Sequence, residues 1–499
     1  TIRRESTARK YWLNVNCVET AFPIKYDPRR LLSVLEERRK MESSSSECPI
    51  DSLPPEIMHI IFDFLDLETL KSVSLTCHRW ERIFAKYCTS RFKLCIDTKD
   101  RKNPDSTEPP TKRLQRATKM LQRTQRVYRH VHLSLMYGRF GPKHTNGVFS
   151  TIFAPHWLQQ LVVLDLNLAL DSEHMVTEVS DAIAKMSCLQ ELSATFCHKR
   201  PDGTIFIGGK YFCQFTKLTN PSLHKLKVRC LLPALIDCPN MRSLDVNLEL
   251  NKKSIADKIY LRHNEQEGTL WRVEQVEELV IDRLTSDDDL DVTEYLRQFL
   301  QHMPHLKSLR LGAFDVPDKM LQVIADSCPR LEELALKYLK VDDPDILRHL
   351  SKLTQLRNLG VWYALGTHDH PLSFAGVKLP RLEKLYNNEA IFDFQSLACI
   401  PSVKWCKISP NDLANILLAE LPKMPALEML VLEDVFKLPD LHTFLPPLPQ
   451  LKRLVIYHKK EILQQYHNTA ELAKLVPNVK RIEMSENKYR YQYDFVGIF

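Results

Sequence analysis

A short pattern of apolar positions, L-x-x-L-x-L, recurs along the second half of the chain, with Val, Ile, Cys or Met replacing Leu in some copies. Apolar residues at alternating positions predict a short strand with one buried face. The first positions of the clearest copies, 21 to 28 residues apart, are Leu306, Leu331, Leu356, Leu382, Val403, Leu427, Leu451 and Val479. Looser copies begin at Leu161, Leu189, Leu223, Met241 and Val276, so the chain holds about thirteen copies.

Segments between these strands carry apolar residues at helical spacings, most clearly in 291–303, 318–328 and 411–421. A strand followed by a helix, repeated in register, predicts a solenoid in which the leucines of successive units form one core. The predicted fold class is therefore α/β. It is a leucine-rich-repeat solenoid over residues 131–486, curved as a horseshoe with a parallel sheet inside and helices outside.

Alternating strands and helices also occur in nucleotide-binding enzymes, but the glycines of this chain do not support that class. There are only 12, and neither G-x-G-x-x-G nor a P-loop pattern is present. The chain also lacks H-E-x-x-H and G-x-S-x-G, and the neighbours Cys77-His78 and Cys197-His198 would diverge on a helix or a strand. We therefore predict that the chain is not an enzyme and has no catalytic residues and no cofactor.

The 13 cysteines include no C-x-x-C pair and are odd in number, which indicates reduced thiols and a protein of the cytoplasm or nucleus. Cys188, Cys238 and Cys328 each precede a strand of a different repeat. Because whole layers of the solenoid separate them, we expect buried structural thiols and no metal site. No run of 18 apolar residues is present, so we expect no membrane span.

The stretch LPPEIMHIIFDFLDLETLKSVSLTCHRW, from Leu53 to Trp80, is helical in pattern but has apolar residues on more than one side. A single amphipathic helix shows one apolar stripe. Two or three short helices must therefore cover one another, or a partner must cover them. Ser52 is the expected N-cap, with Pro54 in the first turn and Glu56 favouring the helix dipole.

This stretch resembles the F-box, with matches at Leu53, Pro54, Glu56, Ile57, Ile61, Phe62, Phe64, Leu65, Leu70, Val73, Cys77 and Trp80. Leu67 and Thr76 depart from the usual motif. The resemblance implies a small all-α F-box at residues 47–95 that binds the adaptor protein Skp, and through Skp a cullin and a RING subunit. The residues that it implies for Skp binding are Leu53, Pro54, Ile57, Ile61, Phe62, Leu65, Leu70, Cys77 and Trp80.

Together with the repeats, this motif resembles the F-box and leucine-rich-repeat class of ubiquitin-ligase substrate receptors. The resemblance implies a subunit that binds a protein substrate for ubiquitination and proteasomal degradation. Two other interpretations stay open for the motif. It could form a helical subdomain that packs only on the first repeats, or it could belong to an interaction scaffold that uses its F-box outside degradation or binds Skp without a cullin.

Residues 96–130 are expected to be a linker with a basic helix. Leu114, Ala117, Leu121 and Tyr128 fall on one helical face, and the cations around them are Lys112, Arg113, Arg116, Lys119, Arg123, Arg126 and Arg129. The whole chain has a net charge of only +7, most of it in this segment. We expect a solvated helix that orients the solenoid; a nucleic-acid-associated protein anchored by this segment is the alternative.

Both ends of the chain are assigned outside the folded parts. No methionine precedes Met41, so we expect residues 1–40 to be a non-native extension and residues 1–46 to be disordered or non-native. Residues 487–499 are expected to be a C-terminal tail.

Strand alternation places a candidate substrate surface on the side of the sheet opposite the leucines. Trp362, Tyr386 and Trp405 should face outward on neighbouring strands, with Lys384, Lys407, Arg453 and Tyr457 near them. Exposed aromatic residues flanked by cations are typical of binding hot spots. Two alternatives stay open: a one-residue error in register would bury Trp405 in the core, and the C-terminal tail would cover the surface.

Overall fold

The computed structural model describes twenty segments of the chain, which divides into two compact units, Thr1–Leu223 and His224–Phe499. The described residues are 53–65, 67–73, 76–91, 93–97, 109–123, 128–135, 147, 149–170, 173–199, 205–206, 218–229, 236–250, 272–286, 292–365, 371–388, 392–409, 421–433, 445–458, 473–479 and 482–486. The predicted N-terminal extension and C-terminal tail lie outside them.

The first unit combines helices with strands. Its helices are α1 (Pro55–Asp63), α2 (Leu67–Val73), α3 (His78–Arg91), α4 (Pro110–Arg123), α5 (Pro155–Leu158) and α6 (Glu173–Ala184). Its strands are β1 (Lys93–Asp97), β2 (His130–Leu135), β3 (Val163–Leu170), β4 (Glu191–Lys199), β5 (Ile205–Phe206) and β6 (Leu218–Thr219).

The start of α1 differs from the sequence expectation. The N-cap is Pro54, with φ −60° and ψ 150°, and it makes no side-chain cap hydrogen bond. The residue before a proline is disfavoured in the helical region, so Pro54 stays extended and Pro55 becomes the first helical residue. The expected cap, Ser52, is therefore replaced by Pro54 and lies outside the described residues, while Glu56 does lie in the first turn.

The helices α1, α2 and α3 enclose a small apolar core. Phe62 is its centre, with ring centroids 6.1 Å from Phe84 and 5.4 Å from Tyr87, both edge-on. The buried members of the cluster are Met58, Phe62, Leu70, Ile83, Phe84 and Tyr87. Part of the apolar surface of this stretch is therefore buried among the three helices. This agrees with the prediction from the sequence that short helices cover one another.

The strands β1 to β4 pair in parallel and in chain order, and β5 pairs antiparallel with β4. On β1 the alternate residues Leu94 and Ile96 are buried. The sheet therefore begins inside the residues assigned to the F-box and linker, before position 131. The helix α4 ends at Arg123, so Tyr128 is not on its apolar face, and the ring of Tyr128 stacks on Trp157 with centroids 6.0 Å apart.

The second unit is built on a long parallel sheet. The strands of this unit are β7 (Lys225–Arg229), β8 (Ile236–Asp237), β9 (Ser243–Leu250), β10 (Glu278–Ser286), β11 (Ser308–Val316), β12 (Glu333–Lys340), β13 (Asn358–Leu365), β14 (Lys384–Asn388), β15 (Trp405–Ser409), β16 (Met429–Glu433), β17 (Arg453–His458) and β18 (Ile482–Glu486). Of these, β8 lies outside the long sheet. Within the sheet, β7 pairs with β9, and β9 to β18 follow one another in chain order.

The repeat pattern positions the core of this sheet. The first position of each clear copy is buried, from Leu306 to Leu451, and Val479 of the last copy is half-buried. The strands β9 to β17 also start in the same way: on β15, for example, the backbone N–H groups of Lys404 and Trp405 both donate to the carbonyl of Glu383, at 2.8 and 3.0 Å. This mixed α/β structure with a long parallel sheet is consistent with the predicted leucine-rich-repeat solenoid.

Helices connect the strands of the second unit, as predicted. The described connections include the α-helices α7 (Val292–Gln301) and α8 (Asp318–Ser327), which fall in the predicted segments. Three described connections are 3₁₀-helices instead: Ile346–Lys352, Phe394–Cys399 and Leu421–Lys423. Of the predicted helix 411–421, only Leu421 lies within the described residues.

Candidate interaction surfaces

The helices α1, α2 and α3, called the helical unit below, carry an apolar surface along α1 and the residues on either side of it. Leu53, Pro54, Ile57, Ile61 and Leu65 are each half-buried, so part of every side chain reaches solvent. Ile57 and Ile61 are one helical turn apart and lie on the same side of α1. Apolar groups left in water on one side of a small unit favour a binding surface.

Two of the residues assigned to Skp binding lie elsewhere. Phe62 has 0 % and Leu70 has 3 % of its surface exposed, since both pack inside the helical core. Their side chains therefore stabilise the unit and present no surface to a partner in this structure. Of the other two assigned residues, Cys77 is exposed and Trp80 is half-buried, with its ring 6.3 Å from that of Phe62.

Phe64 is a surface residue that the site assignment missed. It is 82 % exposed and is the one large hydrophobic side chain described here that is exposed to this degree. It follows directly after α1, where the backbone N–H of Phe64 donates to the carbonyl of Ile61. The sequence held a signal for it, because Phe64 is among the positions that match the F-box motif.

Hydrogen bonds between distant residues hold this surface in place. The guanidinium of Arg79 on α3 donates to the carbonyl of Leu53, which fixes the segment before α1. The hydroxyl of Thr76 donates to the carbonyl of Val73 at 2.8 Å and closes the end of α2. Both bonds reduce the conformational freedom of the residues that flank α1, and an ordered surface loses less entropy when it binds.

The aromatic residues of the predicted substrate surface lie on the predicted side of the sheet in the second unit. Tyr386 is the register partner of Lys407, and Trp405 is the register partner of Lys384. The repeat positions Val403 and Cys406 are buried on the leucine side. The alternative of a one-residue register error is therefore wrong, since it would have buried Trp405 among the leucines.

Their exposure, however, differs from the prediction. Trp362 and Tyr386 are only 6 % and 3 % exposed, because their rings pack together with centroids 4.3 Å apart and also contact Ala335. The two rings are therefore buried and do not form an exposed contact surface. Trp405 is half-buried against the same cluster and keeps part of its ring accessible.

The cations near this buried aromatic pair have interaction partners. The ammonium of Lys407 lies 4.9 Å from the ring centroid of Tyr386 and 6.0 Å from that of Tyr457. Arg453 donates two hydrogen bonds of 2.8 Å to the carboxylate of Glu483, and this pairing raises the pKa of Arg453. We use the name substrate face, after the role predicted from the sequence, for the accessible residues of this region: Trp405, Lys407, Arg453 and Tyr457.

The basic helix α4 presents its cations to solvent. Leu114 and Leu121 are buried and Ala117 is half-buried, so these three lie on the inner face as predicted. On α4, Lys112, Arg116 and Lys119 are exposed and Arg113 is half-buried; Arg129, also exposed, lies beyond the end of α4, just before β2. Arg126 and the side chain of Arg123 lie outside the described residues.

Two of the three repeat cysteines are buried, as predicted. Cys238 and Cys328 are 1 % and 2 % exposed, and burial raises the pKa of Cys328 to about 12. Cys188 is exposed, so its expected burial is wrong; it lies in the turn between α6 and β4. The described part of the chain contains neither a cluster of metal-ligating side chains nor a helix long and apolar enough to cross a membrane.

One family model matches the segment that contains the helical unit. Residues 50–88 match the family model described as F-box-like, and no curated protein matches the chain. Among solved structures, a Bacteroides fragilis protein is 12 % identical over 43 % of this chain and 66 % of its own, with a TM-score of 0.25. A chain of the TLR13–ssRNA13 complex is 13 % identical over 72 % of this chain and 43 % of its own, with a TM-score of 0.31. Scores this low do not establish a common fold, and the chain spans less than two thirds of either protein.

Proposed function

We propose that this chain, with its F-box-like domain at residues 50–88, is a non-catalytic substrate receptor of a Skp–cullin–F-box ubiquitin ligase. The observation that carries the proposal is the apolar surface on and around α1, in the same residues that match the family. That surface belongs to a folded unit with its own core, and it still exposes most of Phe64. A partner that buries it would explain both features.

The adaptor Skp is the partner that the F-box-like match favours. Burial of the side chains of Leu53, Ile57, Ile61 and Phe64 would remove apolar surface from water, which is the main driving force for association. Phe62 and Leu70 act indirectly, because they fix the positions of the helices that carry the contact residues. The cullin and the RING subunit would join through Skp.

The second unit is the proposed receptor for the protein substrate. Its long parallel sheet presents the substrate face on the side opposite the leucine core, with Trp405 and Tyr457 beside Lys407 and Arg453. Trp, Tyr and Arg contribute most to binding energy at protein interfaces. The buried pair of Trp362 and Tyr386 packs against Trp405 and so helps to fix its position.

No chemistry is required of this chain in the proposed role. A ubiquitin ligase accelerates transfer by holding a substrate lysine near the charged enzyme, which raises its local concentration. The receptor needs one surface for the adaptor and one for the substrate, and the two units each supply one. The proposal is consistent with a sequence that lacks the G-x-G-x-x-G, P-loop, H-E-x-x-H and G-x-S-x-G patterns.

Copurification tests this proposal. The tagged chain, expressed with and without a proteasome inhibitor, should recover Skp, a cullin and a RING subunit, together with proteins that accumulate when the proteasome is blocked. Recovery of Skp without a cullin would support a scaffold outside degradation and contradict the ligase role. Partners that disappear on nuclease treatment, with no Skp, would favour a nucleic-acid role for α4.

A further inference from the structure

A cysteine, a histidine and an aspartate lie in one row across the first three strands of the first unit. Cys95 on β1 is the register partner of His132 on β2, and His132 is the register partner of Asp165 on β3. Their sequence neighbours Leu94, Val131 and Leu164 are fully buried on the leucine side. Because side chains alternate along a strand, the three residues project from the opposite face.

The histidine and the aspartate are joined by a short hydrogen bond. Nδ1 of His132 lies 2.7 Å from Oδ2 of Asp165. Burial by itself would raise the pKa of Asp165, but the hydrogen bond from His132 and the charges of His132 and Lys93 lower that pKa to about 2. The carboxylate is therefore ionised at neutral pH, and when the imidazole of His132 is neutral it favours the tautomer with the proton on Nδ1. Nε2 of His132 is then available as a base.

A cation lies in the same region. Lys93, two residues before Cys95 on β1, places its ammonium 3.1 Å from Oδ2 of Asp165. Cys95 and His132 are register partners on the same face of neighbouring strands, which lie about 4.8 Å apart, so the imidazole lies beside the thiol and can act as its base. Cys95 is half-buried, so a small reagent has access to it.

Other titratable groups on this face set the charge around the row. Asp97 lies two residues after Cys95 on β1, and Glu191 on β4 shares a row with His130. Burial lowers the pKa of His130; Glu191 opposes that effect, and Lys93 and Arg129 add to it. His130 is therefore largely neutral at pH 7, and the carboxylates of Asp97 and Glu191 oppose the positive charge of Lys93.

We propose that Cys95 is a reactive thiol that is modified by small-molecule disulfides, with His132 as its base and Asp165 as the positioning residue for His132. In the reaction, Nε2 of His132 accepts the thiol proton, and the Cys95 thiolate attacks one sulfur of the reagent. The reagent's S–S bond breaks as the new S–S bond to Cys95 forms. The leaving thiolate then takes the proton from His132, so the reagent is the only oxidant required.

The test uses the intact chain and glutathione disulfide, with modification of each cysteine measured by peptide mass spectrometry from pH 6 to 9. The exposed thiols of Cys77 and Cys188 serve as internal references. Cys95 should react roughly tenfold faster than either reference at pH 7, with a pH midpoint below the ordinary thiol value of about 8.5. His132→Gln should remove this advantage and leave the rates of Cys77 and Cys188 unchanged, and Asp165→Asn should reduce it.

The wild-type pH profile decides the question even if a variant unfolds. A Cys95 rate at or below that of both reference thiols at every pH would overturn the proposal. So would an unchanged Cys95 rate in a folded His132→Gln protein, because the histidine would then not act as the base.

Discussion

The hydroxyl of Tyr87 on α3 donates a 2.6 Å hydrogen bond to Oδ1 of Asp63, the last residue of α1. This bond joins the two helices next to the residues that carry the apolar surface. Tyr87 also packs its ring edge-on against Phe62, so one side chain links the core of the unit to its surface. The helical unit therefore depends on a polar contact as well as on its apolar core.

Replacement of Tyr87 by Phe should weaken the helical unit without emptying its core. The variant keeps the ring and loses a hydrogen bond to a carboxylate, which costs about 1.5–3 kcal/mol. Amide hydrogen exchange in α1 and α3 of the full chain should speed up accordingly, while exchange in β11 to β17 stays the same. Unchanged exchange in α1 would show that the bond does not hold the two helices together.

Phe62→Ala and Phe64→Ala form a matched pair that separates core from surface. Removal of the fully buried Phe62 ring should destabilise the unit by about 3–5 kcal/mol. Removal of the exposed Phe64 ring should change stability by less than about 0.5 kcal/mol, yet it should weaken Skp binding. Thermal unfolding and a Skp pull-down measure the two effects. Equal loss of stability in both variants would contradict the packing described here.

Trp405→Ala combined with Tyr457→Ala tests the substrate face. Both residues are half-buried and lie on the side opposite the leucine core, so the double variant should fold and still bind Skp. Its recovery of copurifying substrates should fall about tenfold, because interface aromatics often contribute more than 1 kcal/mol each. Lys378→Ala, an exposed change between β13 and β14, is the control. Substrate recovery equal to that of the control would place the binding site elsewhere.

The carboxylate of Asp165 should make the first unit sensitive to acid. Its pKa falls from 3.8 to about 2 on folding, so its contribution of about 2 kcal/mol is fully present above pH 4. That contribution is lost as the pH falls from about 4 towards 2. Asp165→Asn should remove this part of the pH dependence, as measured by amide exchange in β2 and β3. An identical pH dependence in the variant would show that the ion pairs with His132 and Lys93 do not stabilise the fold.

Much of the second unit could be predicted from the spacing of leucines. Each copy holds its own apolar residues at alternating positions, so strand and buried face follow from local sequence alone. The same rule correctly placed Trp405 and Cys406 on opposite sides of the sheet. The exposure of Trp362 could not be predicted in this way, since it depends on how closely Tyr386 packs from the next strand.

The first unit was harder to predict because its strands are separated by irregular distances. Apolar residues occupy alternate positions in both β1 (KLCID) and β2 (HVHLSL). The two strands begin 37 residues apart, however, which is outside the repeat period of 21 to 28 residues. The row of Cys95, His132 and Asp165 depends on strand register, which the sequence does not state. Cys188 illustrates a similar limit, because its position before a strand resembles that of Cys328 although only Cys328 is buried.

The most direct measurement is the binding of purified Skp to the intact chain, compared with the Leu53→Ala, Pro54→Ala double variant. Lys119→Ala on α4 is the control, because it changes an exposed residue outside the F-box-like segment. The account predicts tight binding by the wild type and the control and at least a tenfold weaker complex for the double variant, whose α1 to α3 amides remain protected. Absence of Skp binding by the wild type, or equal binding by the folded double variant, would contradict the account.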